Sequence, residues 1–171
     1  MKKLFAIAIL GSVMLVSCKK SSSGGGLAQG TVNATIDGKA SSFSAVVVAL
    51  SSDSGKTIQI TAADGTSNPN TFVITVNSDK AIVTGTYTDS TLIQNDFGET
   101  TPAQFSYLTS TGTEYDNAEV IGSPFVVKIT SVSSTQIQGT FQGSVYLNQD
   151  PTQTKKVITG GAFNAKITAT P

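Results

Sequence analysis

From Thr31 onward apolar and polar residues alternate with a period of two, the signature of half-buried strands. The stretch 31–37 (TVNATID) sets Val32, Ala34 and Ile36 on one face and Thr31, Asn33 and Thr35 on the other. Asp37-Gly38 then predicts a type I′ hairpin turn, since Asp and Gly tolerate positive φ at both central positions. Val46, Val47 and Val48 stand in a row within 42–50 and predict a strand covered on both faces. Alternation returns at 56–64 through Ile58 and Ile60, and at 71–77 through Phe72, Ile74 and Val76. A further strand is read at 81–88. Residues 89–104 carry no clear period, 105–111 reads as a strand, and 112–123 reads as an acidic loop.

Three strongly patterned strands follow. Residues 124–133 turn Phe125, Val127 and Ile129 to one side. Residues 136–147 do the same with Ile137, Gly139, Phe141, Gly143, Val145 and Leu147, and 155–168 with Val157, Gly161, Phe163, Ala165 and Ile167. No window sustains helical spacing, and turn signals recur every 8 to 12 residues or so, about as in all-β domains. The chain is therefore expected to be all-β, an antiparallel sandwich of about nine strands, with a closed barrel as the second architecture. Phe125, Ile129, Phe141, Phe163 and Ile167 are its predicted core. A small theme recurs at Gly85-Thr86-Tyr87, Gly139-Thr140-Phe141 and Gly161-Ala162-Phe163. Glycine within a strand marks a close backbone approach, and a neighbouring aromatic covers the space it leaves.

The N-terminus follows a different rule. Met1-Lys2-Lys3 is a positive start, and Leu4 to Val16 is apolar except for Gly11 and Ser12. That run is short for a spanning helix and has the length of a secretory signal core. Leu15-Val16-Ser17-Cys18 stands directly behind it and resembles a bacterial lipobox; Cys18 is the sole cysteine. The resemblance implies cleavage before Cys18, with fatty acyl chains such as palmitate on its sulfur and on the new N-terminus. Two or more chains hold a protein firmly to a bilayer. The expected organisation is a signal peptide at 1–17, a lipidated Ser/Gly-rich tether at 18–30 and a domain at 31–171. Lys19 follows the cysteine where inner-membrane lipoproteins of the enterobacterial kind resemble one another in having Asp, which implies the outer membrane. No acidic residues follow Cys18, unlike in surface-exported lipoproteins, which implies the periplasmic face.

These features together, with IDGKASSFSA (36–45), TGTY (84–87), VVKITSVSSTQIQGTFQGSV (126–145) and VITGGAFNAKI (157–167), resemble a set of small uncharacterised lipoproteins of the Bacteroidetes. The resemblance spans nearly the whole chain and implies an envelope compartment and one β-rich domain. It carries over no catalytic residues. The chain departs from that set after the early turn, where Ala40 to Phe43 stand at a place often held by an aromatic such as Trp.

Composition narrows the chemistry. Net charge is zero, only 13% of residues are charged, all eleven basic residues are Lys, and there is no His or Trp. A Ser-His-Asp triad, a Cys-His pair and His-based zinc sites cannot be built. Without Arg there is no bidentate phosphate clamp, and scattered Lys give no nucleic-acid footprint. Three kinds of site remain. Glu114, Asp116, Asn117 and Glu119 are calcium candidates by oxygen content, although EF-hand spacing is absent. Asp96 and Glu99, in the irregular NDFGE, are the acids least explained by turns and the candidates for a hydrolytic pair. Tyr107, Tyr115, Tyr146 and Phe97 are candidates for a stacking surface. No cofactor is expected. The functional expectation is a membrane-anchored, non-enzymatic binding or structural module, with glycan or protein partners in the envelope. The alternatives are a barrel carrying an apolar ligand and a carboxylate-dependent glycan hydrolase.

Overall fold

A computed structural model describes residues 27–95, 98–117 and 125–169. Cys18, the expected signal peptide at 1–17, most of the expected tether, and Asp96, Phe97 and Glu119 lie outside the described residues. Among the described residues the chain is all-β with thirteen strands. The first five are β1 (Thr31–Ile36), β2 (Lys39–Phe43), β3 (Val46–Ser52), β4 (Thr57–Ala63) and β5 (Thr71–Asn77). Then come β6 (Gly85–Thr88), β7 (Ile93–Asn95), β8 (Gly98–Thr100), β9 (Ala103–Leu108) and β10 (Glu114–Asp116). The last three are β11 (Val126–Val132), β12 (Gln136–Leu147) and β13 (Lys155–Ala169).

Two layers face one another, β3-β4-β5-β9-β10 and β2-β1-β13-β12-β11-β6, while β7 and β8 form a separate small hairpin. The layers join at two corners. The end of β13 pairs with β3 through Lys166–Ala169, in parallel, and β10 pairs with β12 at Tyr115↔Leu147 and Asp116↔Tyr146. The ladder thus returns to its start, while the space between the layers is packed solid with side chains. Among the described residues the parallel pair is the one departure from antiparallel order. The strand count exceeds nine for local reasons. β2 and β3 are separate because the chain breaks at Ser44-Ala45, and β7, β8 and β10 have three residues each, too few for a period to show.

Alternation sets the inward face. Val32, Ala34 and Ile36 are buried on β1, and Asp37 and Gly38 take φ of 48° and 81°, the type I′ turn that places Lys39 opposite Ile36. Ile58 and Ile60 on β4 and Phe72, Ile74 and Val76 on β5 point inward likewise. All five predicted core residues are buried. Three expectations fail. Val48 is 38% exposed, because β3 buries Ala49 and turns its alternate side chains out. Val157 is 39% exposed while Ile158 is fully buried. The register between β12 and β13 slips between Phe141/Gly161 and Gly143/Ile158, a bulge at Thr159-Gly160 that reverses parity before it. Residues 81–84 are also not strand, so β6 begins at Gly85.

The interior is a run of touching rings. Phe43 lies 4.1 Å from Phe72, Phe72 5.0 Å from Phe105, and Phe105 4.7 Å from Phe125. Phe141 meets Phe72, Phe105 and Phe163 at 5.9, 5.7 and 6.3 Å. The contacts Phe43–Phe72, Phe105–Phe125, Phe72–Phe141 and Phe105–Phe141 cross between the layers and hold them together. Two phenylalanines depend on glycine. Gly139 faces Phe163 across the ladder, and Phe141 faces Gly161. A Cβ on Gly139 would meet Phe163 Cζ at 2.5 Å and lie closer still to the Lys128 carbonyl; one on Gly161 would meet the Phe141 ring at 2.7 Å and its carbonyl oxygen. Gly85 belongs to the same motif, but a Cβ there would meet only Tyr87, at 3.9 Å.

The motif therefore splits under substitution. Phe141→Ala should cost about 3–5 kcal/mol. Gly139→Ala and Gly161→Ala should each cost about 1–3 kcal/mol by overpacking, and Gly85→Ala should stay within about 0.5 kcal/mol of the parent. Equilibrium denaturation with urea reads all four. Equal effects at Gly85 and Gly139 would contradict the ring-over-glycine packing.

Candidate functional site

The two ends of the sandwich differ. β1 starts beside Asn164 and ends beside Ile158, so the chain enters at one end, the tether pole, and the Asp37-Gly38 turn marks the other, the turn pole. A polar cluster gathers at the turn pole. The Asp37 carboxylate accepts hydrogen bonds from Lys156 Nζ at 2.8 Å and from the Val157 N–H at 2.9 Å. The same Nζ sits 5.5 Å from the centre of the Tyr115 ring, a cation–π distance. Tyr115 pairs with Tyr107, whose hydroxyl donates to Asn70 Oδ1 at 3.3 Å. Asn70 also accepts from the Ser110 N–H and donates to Asp64 Oδ2.

The electrostatics fix every charge in this cluster. Burial works to raise the Asp37 pKa, yet the hydrogen bonds from Lys156 and Val157 and the lysine's charge outweigh it, and the net shift is downward. The hydrogen bond to Asp37 raises Lys156. Hydrogen bonds from Asn70 and Thr66 lower Asp64, and Thr152 and Gln153 lower Asp150 in the same way. Burial raises the Tyr107 hydroxyl. At neutral pH these acids stay ionised, the amine stays protonated and the phenol stays neutral. None of them is poised to exchange a proton with a substrate.

The candidates from sequence land in different places. Tyr107 and Tyr115 are each only 8% exposed, so their rings belong to the core and offer no stacking face; Tyr146 is half-buried. Glu114 is exposed and accepts a hydrogen bond from Ser106 Oγ at 2.7 Å. Glu114 and Asp116 share the outer face of β10 and line a shallow groove of about 180 Å³ with Gln104 and Gln149. Asn117 leaves that group. It is fully buried, holds the Phe105 N–H through Oδ1 and donates from Nδ2 to Asp89 at 2.8 Å. Among the described residues no cluster of three or more His, Cys, Asp or Glu could hold a metal. Glu99 is exposed on the β7–β8 hairpin.

Two features were invisible in the sequence. Asp89 is fully buried, and its carboxylate accepts from Asn117 and, at 3.3 Å, from the Phe125 N–H, tying the end of β6 to β9 and β11. It stands in a Thr-Asp-Ser stretch that reads as a turn. Lys156 meets an acid 119 residues earlier, a distance no local pattern spans. No known protein family, curated protein or solved structure matches the chain.

The Asp37–Lys156 pair gives a pH prediction. A lowered carboxylate contributes stability that is present above the ordinary aspartate pKa and is lost as pH falls through the folded value. A raised lysine contributes below the ordinary lysine pKa and loses its share as pH rises through the folded value. The contribution therefore spans from about pH 4 to about pH 10. Asp37→Asn should lower Tm at neutral pH, and the gap to the parent should close as pH falls through the lowered Asp37 value. Thermal unfolding across that range reads it; a gap that persists undiminished in acid contradicts the pairing.

Proposed function

We propose that this chain is a lipid-anchored protein of the bacterial envelope, held at the periplasmic face of the outer membrane by acyl chains on Cys18. Its sandwich serves as a non-enzymatic binding or structural module. The observation that carries the reading is the state of the carboxylates. Asp37, Asp64 and Asp150 are each lowered by hydrogen bonds or a cation, the opposite of what a general acid needs. The inventory of the chain, without His or Arg, points the same way. The run of phenylalanines through the interior favours binding on outer surfaces over an enclosed apolar ligand. The lipobox pattern at 15–18 supports the anchor. Among the described residues no helix is long and apolar enough to cross a membrane.

The test has two arms. Cys18→Ala should produce a protein without acyl mass that leaves the membrane fraction; a variant that stays membrane-bound with unchanged mass contradicts the anchor. Purified parent protein should show no turnover of envelope glycans or peptides. Turnover that disappears in an Asp96→Asn, Glu99→Gln double variant contradicts the non-enzymatic reading.

A further inference from the structure

The tether pole carries a surface that the packing of the fold does not use. Ile58, Ile82, Val83, Val132 and Ile167 line an open groove of about 490 Å³ there. Ile58, Ile82 and Ile167 form its buried floor, and Val83 stands on its rim at 61% exposure, the highest of the exposed large apolar side chains. Val83 is held in that position. The Tyr87 hydroxyl donates to its carbonyl at 2.9 Å and accepts from its N–H at 3.1 Å. One residue earlier, the Ile82 N–H is fixed to the Gly55 carbonyl at 2.9 Å. The apolar side chain is thus displayed to solvent by a braced loop.

The groove lies where the chain enters the domain. Asn164 Nδ2 donates to the Leu27 carbonyl, and the Gly30 N–H donates to the Asn164 carbonyl at 2.8 Å. Asn164 and Ile167 are three residues apart on β13, about 10 Å. Eight residues stand between Cys18 and Leu27, nine Cα–Cα steps. Nine such steps reach about 30 Å at most. An acylated Cys18 therefore keeps this pole within about 30 Å of the bilayer. Exposed Lys80 and Lys166 flank the groove region alongside Asp79, and Lys19 and Lys20 precede it on the tether. Amines near anionic head groups add attraction.

We propose that the tether pole is a lipid-docking surface: Val83 and the groove behind it seat on the bilayer that holds Cys18, which fixes the orientation of the sandwich and turns the Asp37–Lys156 pole toward the periplasm. The proposal rests on the anchored reading above. It makes the tether a short hinge beside a seated domain and leaves the turn pole and the outer strand faces as the surfaces open to partners.

Acylated full-length protein is the material for the test. Val83→Cys and Gln153→Cys each place one new thiol, at the tether and turn poles, because Cys18 is blocked by its acyl chain. Both positions are exposed, so the fold tolerates them. Each variant is labelled with an environment-sensitive fluorophore and reconstituted into phosphatidylethanolamine–phosphatidylglycerol vesicles that carry a head-group quencher lipid. Most of the fluorescence at position 83 should be lost and its emission blue-shifted, with little change at position 153. Vesicle-bound protein quenched equally at both positions overturns the docking surface alone. Protein that stays out of the vesicle fraction overturns the anchored reading and the docking surface with it.

Discussion

Phe141 and Phe163 each lie over a glycine on the opposite strand, and that reciprocal pairing of β12 with β13 is the contact the rest of the fold is arranged around. A ring can enter the core flat against the ladder only where the facing residue has no Cβ. Glycine in a strand costs backbone entropy. Here the cost is offset by two buried rings, each worth about 1.5–3 kcal/mol of apolar transfer. The same strands serve both layers. β12 carries β11 and β10, and β13 carries β1 and, through its last four residues, β3. A disturbance between them reaches both corners of the sandwich.

From this pair the ring contacts pass to Phe105 and Phe72 in the facing layer and on to Phe125 and Phe43. Asn33 Oδ1 is buried without a partner, but the larger polar side chains taken inside are hydrogen-bonded. Asn117 and Asp89 bind one another and the backbone of Phe105 and Phe125. Asn164 receives Gln136 and holds Leu27. The bulge at Thr159-Gly160 lets β13 bury Ile158 at one end and Phe163 at the other while Val157 faces out toward the Asp37 turn. The charged cluster of the turn pole is thus a consequence of how β13 is bent.

Period-two patterning made the long strands legible, because one face of each is buried and a slip by one residue would expose its whole apolar set. The Asp37-Gly38 turn was legible for a stereochemical reason, and the Gly-x-aromatic motif pointed to close approach before its partners were known. The failures are equally specific. A bulge leaves no mark in composition beyond Gly160, so Val157 and Ile158 exchange faces unannounced. The three-residue strands β7, β8 and β10 are held by their neighbours rather than by their own pattern. Tyr107 and Tyr115 looked available for stacking because strand parity says nothing about which of two faces a distant layer covers. Of the described calcium candidates, Glu114 and Asp116 share the outer face of β10, while Asn117 turns inward to Asp89. For the function, the sequence supplies a lipobox-like pattern at 15–18, and the folded domain supplies a filled interior and two unlike poles.

If the β12–β13 pair is the element on which both layers depend, it should open last. Native-state hydrogen exchange measures this residue by residue. The amides of Ile137, Gly139, Phe141, Phe163 and Ala165 should exchange only with an opening free energy equal to that of global unfolding, while those of the β7–β8 hairpin exchange through small local openings. Exchange of the β12–β13 amides at low free energy, with β4 and β5 still protected, would contradict the account.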